Sequence, residues 1–339
     1  MMEIVAQQLW FTGANRVEIR EQKINAPVVN EVLVKVICSA VSAGTEMLVY
    51  RGQLPSEISL DSTIKSLQDQ QYPLQYGYAC VGEVIQLGAG VDESWLGKKV
   101  FAFQPHASYF LSDVDQLIAV PEDITPENAV FLANMETAVN LMHDGKPLLG
   151  ERVIILGQGI VGLFLTSLLA HIPLAELLVV DNFFLRRDWA KTLGATAFEP
   201  TAAAALNNRQ YAGPSSGADL IFELTGVPDA LNLAIDLSGY HSRIIVGSWY
   251  GTKRAPVYLG GAAHRNRLQI VTSQVSSIAP ELSGRWDKAR RFDITWEMIR
   301  RIQPSRLISH QQALANAPNV YQQLDEHPES TIQAIFNYR

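Results

Sequence analysis

Val153-Ile154-Ile155-Leu156-Gly157-Gln158-Gly159-Ile160-Val161-Gly162 is an apolar run of strand length that breaks into Gly-x-Gly-x-x-Gly and then continues as an apolar helix. Each glycine has a physical task. Gly157 turns the chain, Gly159 lets a pyrophosphate approach the backbone, and Gly162 lets the helix pack on the strand. The helix start at Ile160 and Val161 supplies unpaired N–H groups and a positive dipole end for phosphate. The following strand ends at Asp181, about 20 positions beyond the last glycine, where an acid accepts from a ribose 2′-hydroxyl and repels a 2′-phosphate. NAD(H) is therefore the expected cofactor. Arg186 and Arg187 follow closely and are a caution, since arginine holds a 2′-phosphate. The pattern places them on the solvated face of the next helix.

Outward from this motif, apolar strand-length runs alternate with helical stretches: 153–156, 160–170, 177–181, 185–194, 220–224, 228–237 and 243–247. Such alternation implies βαβ units and a parallel sheet with helices on both faces. The preceding part is β-rich, with strands expected at 32–37 and 79–85 and a turn at 88–90 leading to a third at 95–101. Residues 55–73 are polar and read as a long surface loop, and the alanine run 202–205 as helix. After about 275 the alternation stops. Residues 286–302 have helical spacing and 331–336 read as a closing strand. The expected arrangement is a β-rich domain made from both chain ends, 1–128 and 276–339, with a doubly wound nucleotide domain, 129–275, inserted between them.

The chain has 339 residues, 47% hydrophobic and 18% charged, which suits about two packed domains and excludes disorder. A net charge of -7 gives no electrostatic footprint for nucleic acid or an anionic membrane. Two cysteines, Cys38 and Cys80, make neither a disulfide framework nor a four-cysteine zinc site. The start, Met1-Met2-Glu3-Ile4-Val5, lacks the features of a signal peptide, and no apolar stretch approaches the ~18 residues of a membrane span. A cytoplasmic protein acting on a small molecule is expected.

Several further segments resemble the medium-chain dehydrogenase/reductase superfamily, and the resemblance covers essentially the whole chain. Gly77 with Val81-Gly82-Glu83-Val84-Ile85-Gln86-Leu87-Gly88 is similar to its Gly-x-x-x-x-Gly-x-Val strand, and Gly97-Lys98-Lys99-Val100 to its Gly-Asp-Arg-Val turn. Asp219 to Gly226 and Ala190 to Ala195 also match. The resemblance implies a Rossmann nucleotide domain inserted into a GroES-like catalytic domain, and a homodimer joined through edge strands of the nucleotide domains. It also implies cofactor contacts from Thr137, Thr225, Gly226, Gly247, Ser248, Trp249 and Ser273, in addition to Gly157, Gly159, Ile160, Val161, Gly162 and Asp181.

The departures bear on mechanism. Where zinc members carry Gly-Ile-Cys-Gly-Thr-Asp, this chain reads Ala40-Val41-Ser42-Ala43-Gly44-Thr45-Glu46; where they carry Gly-His-Glu it reads Gly77-Tyr78-Ala79. The position of the third ligand is Ala133, and the four-cysteine lobe is missing. Catalytic zinc needs about three protein ligands, so no metal is expected; Glu46, His106 and Glu136 are the one conceivable replacement set. Gln333 stands where some zinc members have a phosphate-binding arginine. The Ser42–Glu46 loop, with Arg51-Gly52-Gln53-Leu54-Pro55 behind it, resembles locally the bacteriochlorophyllide hydroxyethyl dehydrogenase subgroup, which implies secondary alcohol/ketone chemistry.

Without zinc, hydrogen bonds must stabilise the developing alkoxide and a side chain must take its proton. The resemblance brings the loop 42–46, Tyr78 and 134–137 beside the nicotinamide. Tyr78 acts as donor or acceptor, or fills the volume of the missing metal. Thr45 matches a hydroxyl that contacts the substrate oxygen. Glu46 orients its loop. Glu136 is a raised-pKa base, or a structural pair. His106 completes a relay, although an isolated loop histidine reads first as an exposed residue. The leading reading is a zinc-independent NAD(H)-dependent alcohol dehydrogenase or ketone reductase. Quinone or enone reduction is an alternative, and an NAD(H)-binding scaffold or redox-responsive regulator is one of another class.

Overall fold

The computed structural model describes residues 4–55, 71–203 and 217–338. Most of the loop expected at 55–73, the residues 204–205 of the alanine run and the first three residues lie outside them; Pro200–Ala203 is helical. The chain divides into two compact units, one of Met1–Ala133 with Trp296–Arg339, the other Asn134–Thr295. It passes between them within the helices Leu132–Gly145 and Lys288–Ile302.

In the first unit, β1 (Ile4–Gly13) and β2 (Arg16–Ile24) form an antiparallel pair. The strands β3 (Glu31–Ala40), β4 (Cys80–Leu87), β5 (Lys99–Ala102), β6 (Tyr109–Asp113) and β7 (Leu117–Ala119) belong to a second, seven-stranded sheet. β3 runs along its middle, antiparallel to β4 and β6.

The second unit contributes β8 (Arg152–Leu156), β9 (Glu176–Val180), β10 (Thr196–Phe198), β11 (Ala218–Glu223), β12 (Ser238–Val246) and β13 (Gln269–Thr272). All neighbours in this six-stranded sheet are parallel, in the order β10-β9-β8-β11-β12-β13. That is the dinucleotide-binding strand order, with its reversal between β8 and β11. Both faces are covered, which is why Val153-Ile154-Ile155-Leu156 is apolar throughout rather than alternating. The seven-stranded sheet is completed by β14 (Ile308–Ala313) and β15 (Gln333–Asn337), β15 pairing antiparallel with β3. The β-rich unit is thus built from both ends of the chain.

The second unit extends to Thr295, so residues 276–295 fall with the nucleotide domain rather than with the β-rich one. Side chains from the start of the last long helix hold them there. Arg291 and Lys288 both pair with Glu136 and both donate to the Val275 carbonyl. Among the described residues no helix is long and apolar enough to cross a membrane.

Candidate active site

The glycine turn after β8 is built by close approach. Gly157 has φ +93°, and a Cβ there would lie 2.6 Å from the Leu224 carbonyl oxygen at the end of β11. A Cβ on Gly162 would lie 2.2 Å from the Gly157 oxygen. Gly159, by contrast, faces open space with nothing within 4 Å of its Cβ position. It precedes the helix Ile160–Leu169, whose first turn has no side-chain cap. The turn therefore presents bare backbone and free N–H donors at the sheet's switch point, an arrangement that fits a pyrophosphate.

Asp181 stands beside this turn. Its Oδ2 accepts the Gln158 N–H at 2.7 Å and its Oδ1 the Phe183 N–H at 2.8 Å. Each carboxylate oxygen has two lone pairs, so one on each remains for a ribose hydroxyl. Gln158 itself is fully buried, linking the Gly157 carbonyl to the Thr166 hydroxyl. The arginines do not lie on a solvated face. Arg187 is tucked in, donating to the carbonyls of Asp181 and Asn182 and to Glu199. Arg186 lies over the Phe183 ring, 4.7 Å from its centroid. Asp181 is the negative charge that opposes the fall in its pKa caused by burial.

Around the ends of β11 and β12, fully buried Glu223 accepts from the Thr225 N–H and hydroxyl and from the Tyr250 phenol. Burial, and then this carboxylate, push the Tyr250 phenol well up. Ser248 Oγ accepts the Gly226 N–H at 2.8 Å. A Cβ on Gly247 would come within 2.5 Å of Leu224. Trp249 is partly exposed, at 36%. Ser273 Oγ donates to Asp144 and accepts from Asn140, so its side chain is already engaged. Thr137 lies half-buried in the helix Leu132–Gly145. Gln333 is buried in the first unit, donating to the Val41 and Ala334 carbonyls. It is a brace, and substitutes for no phosphate ligand.

Glu136 is no isolated base. At 2% exposure it accepts from Arg291 Nε at 2.9 Å and Lys288 Nζ at 2.8 Å. Arg291, fully buried, also donates to Asn140 Oδ1 and to the carbonyls of Val275 and Ser277. The carboxylate is one member of an ion-pair network that no local pattern signals.

In the first unit, Ser42, Thr45 and Tyr78 form a hydroxyl trio. The Tyr78 phenol donates to Ser42 Oγ, and the Thr45 N–H reaches the same oxygen at 3.4 Å. Burial raises the Tyr78 pKa, the hydrogen bonds with the Ser42 and Thr45 side chains opposing it. Tyr78 is half-buried, and the neighbouring Ala43 and Gly44 are exposed. Ser42 precedes the short helix Thr45–Tyr50. Glu46, in the first turn of that helix, accepts the Ser42 N–H at Oε1 at 2.8 Å.

His106 is not an exposed loop residue. It is fully buried, because its carbonyl pairs with the Leu9 N–H at 2.9 Å and Ala107 bridges to β1. Nε2 meets Glu46 Oε2 at 3.0 Å and Nδ1 meets Ser39 Oγ at 2.6 Å. A third donor to Glu46 is the Tyr321 phenol, and Ser39 also bonds Tyr338. Burial, then the Glu46 charge, hold the Tyr321 phenol well above its ordinary pKa. Tyr321, Tyr338 and Ser39 were not indicated by local sequence. Tyr321 occupies an apolar helix position, where only the need of a buried phenol for a partner hints at more. Both imidazole nitrogens are engaged away from the trio, so His106 does not complete a relay from Tyr78. Among the described residues no three His, Cys, Asp or Glu side chains form a group that could hold a metal ion. By the resemblance, the positions of the superfamily's zinc ligands correspond to Ser42 or Ala43, Tyr78 and Ala133.

No family model matches the chain. It is similar to D-guloside 3-dehydrogenase of Escherichia coli (strain K12), 25% identical over 344 residues, covering 96% of this chain and 98% of that protein. Its fold matches the crystal structure of 2R,3R-butanediol dehydrogenase from Bacillus subtilis, with a TM-score of 0.79 and 16% identity over 98% of this chain and 99% of that one. It also matches an alcohol dehydrogenase from E. coli CFT073 complexed with NADH, with a TM-score of 0.78, 18% identity and the same coverage. The fold is that of the medium-chain alcohol dehydrogenases.

Proposed function

We propose that the chain is an NAD(H)-dependent oxidoreductase of this superfamily that interconverts a secondary alcohol and a ketone on a small molecule without catalytic zinc. The observation that carries the reading is the turn Gly157–Gly162 at the sheet's switch point, with Asp181 hydrogen-bonded to it. A side chain at Gly157 or Gly162 would strike backbone, while Gly159 stands open. Gly159, Ile160 and Val161 would hold the pyrophosphate, and Asp181 the adenosine ribose. The preference for NAD over NADP is supported by the Asp181 carboxylate and by the engagement of Arg187 with carbonyls and Glu199.

When bound, NAD would supply the acceptor for the hydride of the alcohol carbon. The chain's own part is to hold the alcohol oxygen and move its proton. The Tyr78, Thr45 and Ser42 hydroxyls are the groups for this. The phenol, held above its ordinary pKa by burial, stays protonated near neutrality with its hydrogen on Ser42 Oγ, and its oxygen accepts from the alcohol hydroxyl. As the hydride leaves, the alcohol proton moves to the phenol oxygen and the phenol's own proton to Ser42. The released proton passes along the hydroxyls to water at the exposed Ala43–Gly44 turn. Zinc independence rests on Ser42 or Ala43, Tyr78 and Ala133 at the positions that the resemblance gives to the ligands, and on the mutual engagement of Glu46 and His106.

We also propose a homodimer joined through β13. This edge strand of the six-stranded sheet exposes Ile270 and Val271 at 41% and 40%, and such an edge is a template for strand pairing. Val271→Pro should yield monomer in size-exclusion chromatography with light scattering.

The activity is tested by following NADH formation from NAD over a panel of glycosides, polyols and vicinal diols, with enones and quinones run in the reductive direction. Oxidation of a secondary alcohol supports the reading. Turnover of enones or quinones alone, or binding of NADH without turnover on any substrate, replaces it.

A further inference from the structure

We propose that Glu46 and His106 are a positioning pair that sets both ends of the Tyr78–Ser42 hydrogen bond; the inference rests on reading the hydroxyl trio as the alcohol-handling group. One end runs through Glu46, whose Oε1 fixes the Ser42 N–H at 2.8 Å. The other runs through His106, whose ring lies on Gly77, the residue before Tyr78. Gly77 has φ +137°, and a Cβ there would lie 3.0 Å from His106 Cδ2 and 3.2 Å from its backbone nitrogen. The two ends meet at the 3.0 Å contact between His106 Nε2 and Glu46 Oε2.

Every side of the pair is held. Tyr321 donates to Glu46, Ser39 closes Nδ1, and Phe336 stands edge-on to the imidazole at 5.1 Å and 88°. Nε2 meets a carboxylate oxygen of Glu46 and Nδ1 the Ser39 hydroxyl, so both ring nitrogens are taken up by the frame around the pair. The link from Glu46 to Ser42 is a main-chain N–H, which does not conduct a proton to the trio. The pair therefore acts by placement. A buried carboxylate with an imidazole partner is a poor way to gain stability, since apolar replacements of such pairs are often neutral or better. Its value here is the fixed geometry that precise placement of reacting groups requires.

The test compares His106→Leu, which removes both hydrogen bonds, with His106→Gln, which keeps a donor toward Glu46 and an acceptor toward Ser39. The readouts are kcat, KM for NAD, and amide hydrogen exchange of the segments 41–47 and 76–80. His106→Leu should lower kcat by about 100-fold, leave KM for NAD unchanged and speed exchange in both segments. His106→Gln should restore most of the turnover and the protection. Turnover and exchange like wild type in His106→Leu would overturn the proposal. So would a His106→Gln enzyme as slow as His106→Leu with wild-type exchange, because the imidazole itself would then be catalytic. If His106→Leu does not fold, Ser39→Ala loosens the ring more gently and should shift the same readouts; no shift overturns the proposal. If the wild-type protein oxidises no alcohol, the functional reading fails separately and the exchange measurement alone decides whether the pair positions the loop.

Discussion

The carboxylate of Asp181 accepts the main-chain N–H of Gln158 at 2.7 Å, tying the end of β9 to the glycine turn that follows β8. The residue that would read the ribose thus also holds the phosphate turn in shape. Asp181→Ala should weaken NADH binding at least tenfold, about 1.4 kcal/mol. It should also raise relative affinity for NADPH, because Arg186 would lose its opposing charge. Fluorescence titration with both dinucleotides checks this; unchanged NADH affinity would remove Asp181 from the site.

Tyr78→Phe removes the phenol that donates to Ser42 and keeps the ring. Turnover should fall by about 100-fold, the lower range for loss of one proton-handling group, with NADH binding unchanged. Because burial raises the Tyr78 pKa, kcat in the parent enzyme should show no alkaline limb from this phenol below the ordinary tyrosine range. Unchanged turnover in Tyr78→Phe would move the role to Thr45.

Arg291→Met leaves Glu136 buried with Lys288 as its remaining cation among the described contacts. Breaking a buried pair costs about 3–5 kcal/mol, so a large drop in the urea midpoint of the nucleotide unit is expected. Arg291→Met with Glu136→Gln should recover part of it. A double variant as unstable as the sum of the singles would show that the two residues do not act as a pair.

His143 lies against Trp286 with the rings tilted by 57° and 4.3 Å between centroids, and its pKa is lowered from 6.5 by burial first and by the positive Arg291 second. The unfolded chain then binds the proton more readily than the folded one. This contribution to stability is complete above pH 6.5 and is lost as the pH falls below it. Thermal midpoints between neutral and mildly acidic pH should fall more steeply for wild type than for His143→Phe; parallel curves would contradict the assignment.

The turn Gly157–Gly162 and Asp181 are legible because backbone geometry at a strand–helix junction admits few residues, and the spacing to the next strand end follows from the βαβ unit. The apolar runs of β8, β9, β11 and β12 follow from burial on both faces. Partners brought together by tertiary folding left no such mark. Glu136 reads as a base or as a structural pair, and its partners leave no local mark because Arg291 and Lys288 lie far along the chain. His106 looked exposed because its burial is imposed by β1 and by Tyr321 and Phe336 near the other terminus. Strand–helix alternation stops near 275, whereas the ion pairs to Glu136 carry the nucleotide unit on to Thr295.

The most direct measurement is NADH formation from NAD and a secondary alcohol by protein whose metal content is determined on the same sample after chelator treatment. The expected result is undiminished turnover with far less than one zinc per chain. Turnover that disappears with the metal and returns with added zinc would contradict it.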